Sequence, residues 1–192
     1  FASTRFGNVA GSAGSVVPLF CRQIAQGQAI TLTHRDMTRF LMTLNESVRL
    51  VLLSMTLARG GEVFVTKMPV ARIEDIATLL VKIVAPVYGL DPNAIRIDEI
   101  GPRPGEKMYE ELISDEEVRR SFELGDLFAV LPAFRNIYDN VVFAYEGYTL
   151  APIDRVYNSQ NEQAMGLAEL ERFLLLPGVL PAEVRERLKL SN

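Results

Sequence analysis

The stretch STRFGNVAGSAGSVVPLF, residues 3–20, joins a short alternating run to an apolar run through a loop rich in glycine and serine. Glycines stand at positions 7, 11 and 14, and Ser15 can cap a helix over residues 16–26. The pattern predicts a strand, a tight loop and a helix. The loop has two interpretations: a turn in which side chains do not fit, or a backbone wall against a ligand beside the helix N-terminus.

Outward from this loop, strand and helix patterns alternate, which predicts an α/β fold. AITLT, EVFV and AIRIDEI have strand patterns, and RIEDIATLLVKIVA has a strongly amphipathic helical one. Another helix is predicted after RFLMTL, capped by Asn45, with a stripe formed by Val48, Leu52 and Met55. Further along we predict a polar helix over SDEEVRRSFE, a strand at DLFAVL, an irregular region over 132–163 and two late helices.

Composition sets limits on the class of protein. The chain has 192 residues, 48% of them hydrophobic and 23% charged, with a formal net charge of -4, which is typical of one globular domain, with or without a small appendage. The absence of a basic face argues against a nucleic-acid partner. The single cysteine, Cys21, allows no internal disulfide and is predicted to be a reduced core thiol. No leader or long apolar run occurs, so we expect a cytoplasmic protein with no membrane partner.

Four polar residues are candidates for binding an anionic ligand. Asn8 lies in the glycine loop, and Arg39 follows in DMTRF. Arg103 lies between two prolines, which stiffen its loop, and an arginine fork suits phosphate oxygens. Glu106, three residues later, can accept hydrogen bonds from a sugar diol. Each of these residues, taken alone, is typical of a protein surface. Together with the glycine loop, the four residues favour a phosphorylated ligand.

Several common motifs are absent. The chain contains no G-x-G-x-x-G, no P-loop and no G-x-S-x-G. The HRD run at 34–36 is similar to a kinase catalytic loop, but Leu41 stands where the asparagine should be. His34 is the only histidine, so a histidine-based metal site is excluded. We assign no catalytic, cofactor-binding or metal-binding residue.

Four stretches carry a resemblance to a known family: RFGNVAGSAGSVVPLFCRQIAQG, ITLTHRDMTRFLMTLNESV, GGEVFVTKMP and GPRPGEKMYEEL. In order and spacing they resemble the C-terminal part of inverting UDP-N-acetylglucosamine 4,6-dehydratases, which are extended short-chain dehydrogenase/reductases of polysaccharide biosynthesis. The resemblance is strong over 1–113. It is weaker over 114–192, a C-terminal extension in which YNSQNEQAMGLAELERFL is similar to the family's late segment.

The resemblance implies a partial Rossmann-type sheet with a small α/β domain that closes over a UDP-sugar. It also implies NAD or NADP in the complete enzyme, which oxidises the sugar at C4, eliminates water across C5 and C6, and returns the hydride at C6. The implied roles are pyrophosphate binding by Asn8, Arg39 and Arg103, ribose binding by Glu106, and uracil binding by Val17, Pro18 and Leu32. Ala13 departs from many relatives, which have a larger or polar residue there.

The family's catalytic Y-x-x-x-K motif does not occur, because none of the six tyrosines has a lysine four residues later. We therefore expect the NAD(P)-binding half to be absent from this chain, and no cofactor to bind it alone. Two interpretations remain open: a UDP-sugar-binding portion of an enzyme, or a free-standing binding module. Within the first, MTRF with RPGEKMYEEL favours a 4,6-dehydratase over a UDP-sugar 4-epimerase.

The expected ligand is a UDP-sugar, most simply UDP-N-acetylglucosamine. We also expect ASTRF and EVFV to have unpaired edges beside an uncovered apolar face, because strands of a doubly wound sheet normally have neighbours on both sides. Such surfaces recruit another chain, so the sequence predicts a homo-oligomer.

Overall fold

The structure is a computed structural model that describes residues 1–102, 104–134 and 140–190. Its helices are α1 Val16–Ala25, α2 Leu44–Leu57, α3 Ile73–Val84, α4 Asp115–Val118, α5 Leu167–Leu174 and α6 Ala182–Arg187. Its strands are β1 Ser3–Arg5, β2 Asn8–Val9, β3 Ile30–Leu32, β4 Thr38–Met42, β5 Val63–Thr66, β6 Val70–Arg72, β7 Ile97–Glu99, β8 Glu111–Ile113, β9 Ser121–Leu124, β10 Leu127–Val130, β11 Ala151–Pro152 and β12 Tyr157–Asn158. The α/β class is confirmed.

The largest sheet has the order β1-β5-β10-β9-β11. β1 and β5 are parallel, as in a Rossmann-type sheet, whereas β10 joins β5 antiparallel. The expectation that EVFV has an unpaired edge is wrong, because β5 lies between β1 and β10; among the described strands, β1 and β11 are the two edges of this sheet. The smaller sheets are β2-β4-β6, β3-β7 and β12-β8. The β3-β7 pair and the start of α1 position the site described below.

The three glycines of the first loop have different roles. A Cβ on Gly7 would lie 2.7 Å from Met68 Sδ and 2.9 Å from Phe40 Cβ. Gly11 has a φ of +80°, and a Cβ there would lie 2.0 Å from the backbone oxygen of Gly178. Gly14, with a φ of +81°, has nothing within 4 Å of its Cβ position. The turn interpretation therefore holds for Gly7 and Gly11, and Gly14 alone is left for the ligand-wall interpretation.

α2 differs from the sequence prediction in its cap and in its buried face. Thr43 is the N-cap, because Thr43 and Glu46 form a reciprocal capping box; Asn45 is inside the helix. The buried positions are Ser47, Leu50, Ser54 and Leu57. The predicted stripe is exposed, at 50% for Val48, 59% for Leu52 and 72% for Met55. Both sets have helical spacing, so periodicity could not distinguish them. The serines leave space for α2 to approach β1 and β5, and their hydroxyls bond to carbonyls of the helix.

The C-terminal part contains a hairpin where the sequence predicts a polar helix. A capping box between Ser114 and Glu117 does begin a helix, but α4 ends at Val118. β9 and β10 then pair antiparallel across Gly125 and Asp126, a two-residue loop. Gly125 has a φ of +64°, which a tight hairpin requires. The helix therefore ends early, because the glycine at the turn favours a hairpin and the following residues pair with the sheet as β9.

Two hydrophobic clusters form the core. One lies among α1, α3, α5 and α6 and includes Val17, Phe20 and Ile24. The other lies between α2 and the largest sheet, extends to β4 and β8, and includes Phe40 and Phe64. The exposed apolar stripe of α2 belongs to neither cluster. The expectation of a homo-oligomer stays a prediction.

A partly buried ion pair connects β1 to the start of the C-terminal extension. Arg5 Nη1 and Nη2 each donate to a carboxylate oxygen of Glu117 at 2.7 Å, and Nη1 also donates to the backbone oxygen of Leu112. The hydrogen bonds from Arg5 lower the pKa of Glu117 from 4.5 to about 2. This paired geometry stabilises the contact between the two parts of the chain.

Glu117→Gln should lower the free energy of unfolding by about 2 kcal/mol at neutral pH, as expected for a charge-assisted hydrogen bond. Because the folded-state pKa lies below the unfolded value, the stabilisation is present above pH 4.5 and is lost as the pH falls toward 2. Urea unfolding at pH 7 and at pH 3 measures both effects. Glu169→Gln, on the exposed face of α5, is the control. Equal stability of the Glu117→Gln variant and the wild-type chain at pH 7 would contradict this prediction.

Candidate functional site

A cavity of about 360 Å³ opens where the N-terminus of α1 meets β3 and β4. We call it the α1 cavity. This volume is within the range of small-molecule sites. Its lining combines an apolar wall with a few polar groups: Asn8, Val9, Ala10, Gly14, Ser15, Val16, Val17, Leu19, Phe20, Thr31, Leu32, Thr33, Met37, Arg39, Leu41, Ile73, Ile100 and Glu106.

The structure brings five of the seven predicted binding residues to this cavity. Asn8, Arg39 and Glu106 contribute polar groups to the lining. Val17 and Leu32 also line it, but their side chains are 0% and 2% exposed, so they support the wall from the core.

Two predicted residues are not placed in the cavity. Pro18 lies instead in a separate hollow beside Cys21, Tyr88 and Glu183, because it follows Val17 by one residue on the helix and faces a different side. Its assignment to a uracil contact is therefore not supported by its position. Arg103 lies outside the described residues.

The start of α1 presents an unsatisfied polar group. Ser15 occupies the N-cap position, as predicted, but makes no side-chain capping bond. Its Oγ is buried and has no hydrogen-bond partner among the described residues. Because Ser15 and Val16 line the cavity, the N-terminus of α1 faces it, and the N–H groups of Val16 and Val17, which precede Pro18, have no partner within the helix and favour an anion. The first turn of α1 contains no acidic residue that would compete.

Arg39 holds a loop against β4. Its Nη1 donates to the backbone oxygens of Thr38 and Met108, at 2.8 and 3.3 Å, and its Nη2 donates to that of Lys107 at 2.7 Å. Burial lowers the pKa of Arg39, and the nearby carboxylates of Glu110 and Glu106 oppose that shift. Arg39 thus places the segment that carries Glu106 beside the cavity and adds a half-buried positive charge there.

Asn8 is held by a carboxylate that the sequence analysis did not single out. Its Nδ2 donates to Glu110 Oε1 at 2.7 Å and to the backbone oxygen of Phe40 at 3.1 Å. Glu110 Oε2 accepts from the backbone N–H of Phe40 at 3.0 Å. Ser159 Oγ in turn accepts from the backbone N–H of Glu110 and donates to the backbone oxygen of Thr38. The Asn8 amide is therefore fixed from several sides.

The residues missed from the sequence are Ser15, Thr31, Ile100, Glu110 and Ser159. Ser15 was identified only as a helix cap, and its unpaired hydroxyl depends on the loop conformation. Thr31 lies in a recognised strand, and its face depends on the pairing of β3 with β7. The contact between Thr38 and Ser159 spans 121 positions, for which the sequence contains no local signal.

Other groups are less suited to chemistry. Burial raises the pKa of Cys21 to about 12, which is consistent with a structural thiol. Within residues 1–102, 104–134 and 140–190, no cluster of histidine, cysteine or carboxylate side chains could hold a metal ion. Across the same ranges, no helix has the length and apolar character needed to cross a membrane.

Comparison with known proteins finds several that are similar to this chain. The chain is 52% identical to an uncharacterized membrane protein of Methanocaldococcus jannaschii over 132 residues. The aligned region covers 69% of this chain and 40% of that protein. The chain is 38% identical to a UDP-glucose 4-epimerase of Rickettsia typhi over 95% of this chain and 51% of the epimerase. The X-ray structure of Pen from Bacillus thuringiensis matches with a TM-score of 0.80 and 40% identity, over 94% of this chain and 51% of that one.

The family model described as Polysaccharide biosynthesis protein matches residues 1–132, which include β1 to β10 and the α1 cavity. The likeness to Pen extends over nearly the whole chain, so the C-terminal extension shares that fold as well. The chain spans about half the length of the Rickettsia and Bacillus proteins. Because this family model matches more than two thirds of its length, the chain belongs to the polysaccharide biosynthesis protein family.

Proposed function

We propose that this chain binds a UDP-sugar in the α1 cavity, as the substrate-binding part of a nucleotide-sugar-modifying enzyme that carries out 4,6-dehydration of UDP-N-acetylglucosamine. The observation that carries the proposal is the grouping around one cavity of an unsatisfied helix N-terminus, an arginine and a carboxylate. Ser15 and Arg39 suit a diphosphate, and Glu106 suits a diol.

The residues have distinct tasks in this proposal. The first turn of α1 and Ser15 bind the negative charge, and Arg39 adds positive charge while it holds the 106–110 segment in place. Thr31 and Thr33 line the wall with polar groups beside the apolar side chains of Val16 and Ile100, an arrangement that suits a flat base.

We propose homo-oligomers as the assembly and the cytoplasm as the location.

A nicotinamide cofactor, NAD or NADP, would supply the hydride transfer in the complete enzyme. The residues of this chain do not fit that group, because neither a dinucleotide-binding glycine motif nor a Y-x-x-x-K pair occurs in the sequence. We therefore propose that this chain alone binds no cofactor.

A second candidate is a UDP-sugar 4-epimerase, because the Rickettsia relatives are named UDP-glucose 4-epimerases. The two candidates share the binding mode, carry out different reactions and are expected to prefer different sugars. Calorimetry with UDP-N-acetylglucosamine and UDP-glucose separates them: the dehydratase proposal predicts tighter binding of the acetamido sugar, and a preference for UDP-glucose would favour the epimerase. Equal affinity for a UDP-sugar and a GDP-sugar would contradict both.

Arg39→Ala should weaken UDP binding by roughly 30-fold, corresponding to about 2 kcal/mol, because it removes a half-buried charge and releases the 106–110 segment. Calorimetry with UDP measures the loss. Arg49→Ala, whose guanidinium is exposed on α2, is the matched control and should leave the affinity unchanged. Unaltered UDP affinity in the Arg39→Ala variant would exclude Arg39 from the site.

A further inference from the structure

Glu110 occupies the centre of the polar contacts behind the α1 cavity. One carboxylate oxygen accepts from the side chain of Asn8 and the other from the backbone N–H of Phe40. Its Oε1 also lies 3.9 Å from Arg39 Nε. Glu110 therefore contacts both polar cavity residues that β2 and β4 contribute, although Glu110 itself does not line the cavity.

These contacts determine which atom Asn8 can offer to a ligand. An amide NH₂ has two hydrogens, and both are used, by Glu110 and by the backbone oxygen of Phe40. Both partners are acceptors, so the orientation of the amide follows from the hydrogen-bonding pattern. The carbonyl oxygen Oδ1 is the polar atom of Asn8 that no described residue engages. That atom accepts hydrogen bonds, whereas a phosphate oxygen needs a donor.

We propose that Glu110 is a positioning residue that makes Asn8 a hydrogen-bond acceptor, so that Asn8 binds a hydroxyl or N–H group of the nucleotide sugar and not its phosphates. The inference rests on the proposed function, and it changes the role that the family resemblance implies for Asn8. The phosphates are then left to Arg39 and the N-terminus of α1.

Glu110 is itself fixed by the fold, as this role requires. Its backbone N–H donates to Ser159 Oγ at 2.9 Å, and its backbone oxygen accepts from the N–H of Ser159 at 2.8 Å. Ser159 is 1% exposed. The carboxylate therefore projects from a backbone that is held on both sides, and its orientation does not depend on a bound ligand.

A pair of substitutions that exchanges donor and acceptor tests the proposal. In Glu110→Gln, one carboxylate oxygen becomes an NH₂ group. The side chain can then no longer accept hydrogen bonds from both the Asn8 amide and the Phe40 N–H. The Asn8 amide must then turn, and UDP-N-acetylglucosamine binding should weaken about tenfold. In the double variant Asn8→Asp with Glu110→Gln, the new amide donates to the new carboxylate. Residue 8 again presents an acceptor, but the backbone oxygen of Phe40 loses its donor and faces a carboxylate oxygen, so binding should recover only part of the loss.

Glu111→Gln is the control, because Glu111 is the exposed neighbour of Glu110 and should not change binding. If Asn8 donated to a phosphate, Glu110→Gln would bind as well as wild type or better, and the double variant would bind worst because a carboxylate would face the phosphates. Either result overturns the proposal. Thermal unfolding of each variant separates binding losses from a general loss of structure.

A measurement on the wild-type chain keeps the test independent of variant folding. The side-chain amide protons of Asn8 should exchange slowly in the free chain, and their NMR signals should hardly move when UDP-N-acetylglucosamine is added. Fast exchange in the free chain would contradict the contact with Glu110. A large shift of both protons on binding would overturn the acceptor role. Failure of the wild-type chain to bind any UDP-sugar would instead refute the proposed function, while the free-chain exchange still tests the Glu110 contact.

Discussion

Gly11→Ala is expected to destabilise the fold by roughly 3–5 kcal/mol, the sum of left-handed backbone strain and a steric clash. At this position φ is +80°, and the new Cβ would lie 2.0 Å from the backbone oxygen of Gly178 and 2.7 Å from that of Val179. Backbone atoms cannot turn away as a flexible side chain can, so the segment after α5 would have to shift. Urea unfolding followed by circular dichroism measures the loss.

Gly14→Ala is the matched control for this experiment. Its φ of +81° is almost the same, but its Cβ position has open space around it. The backbone strain alone should cost about 1 kcal/mol. Since Gly14 lines the α1 cavity, this variant should fold and lose UDP affinity. A Gly11→Ala chain as stable as the Gly14→Ala chain would contradict the close contact between the first loop and the C-terminal part.

Leu50→Ala should destabilise the protein by about 2–5 kcal/mol, because Leu50 is 2% exposed and packs between α2 and the sheet. Leu52→Ala removes the same atoms from the same helix, but Leu52 is 59% exposed, so the loss should stay below about 0.5 kcal/mol. Thermal unfolding at one protein concentration compares the two variants. A larger loss for Leu52→Ala than for Leu50→Ala would mean that the stripe predicted from the sequence is the buried one.

Much of the fold could be predicted because its signals are local. The N-cap position of Ser15, the strand at β3 and the amphipathic pattern of α3 depend on neighbouring residues and are confirmed. The buried face of α2 could not be predicted, since both of its faces carry regularly spaced apolar residues and only the sheet decides between them. The length of α4 depends on the hairpin that follows, which competes with the helix.

In the candidate site, too, some features have local sequence signals and others depend on contacts between distant residues. Asn8, Arg39 and Glu106 are polar residues in distinctive sequence motifs, and the structure does bring them to one cavity. The direction in which the Asn8 amide donates depends on Glu110, which is 102 positions away, so no local pattern contains that information. Pro18 adjoins Val17 in sequence, but the helix turns it toward a different hollow, so its predicted uracil contact stays a prediction that its position does not support.

The most direct test of the proposed UDP-sugar site is to locate UDP-N-acetylglucosamine on the chain by NMR, using an isotope-labelled sample. We predict that the backbone amide shifts concentrate at residues of the α1 cavity, above all Ser15, Val16 and Thr31, with little change in the hollow around Lys67 and Arg155. The absence of any shift at saturating ligand, or shifts confined to that second hollow, would contradict the claim that the α1 cavity is a UDP-sugar site.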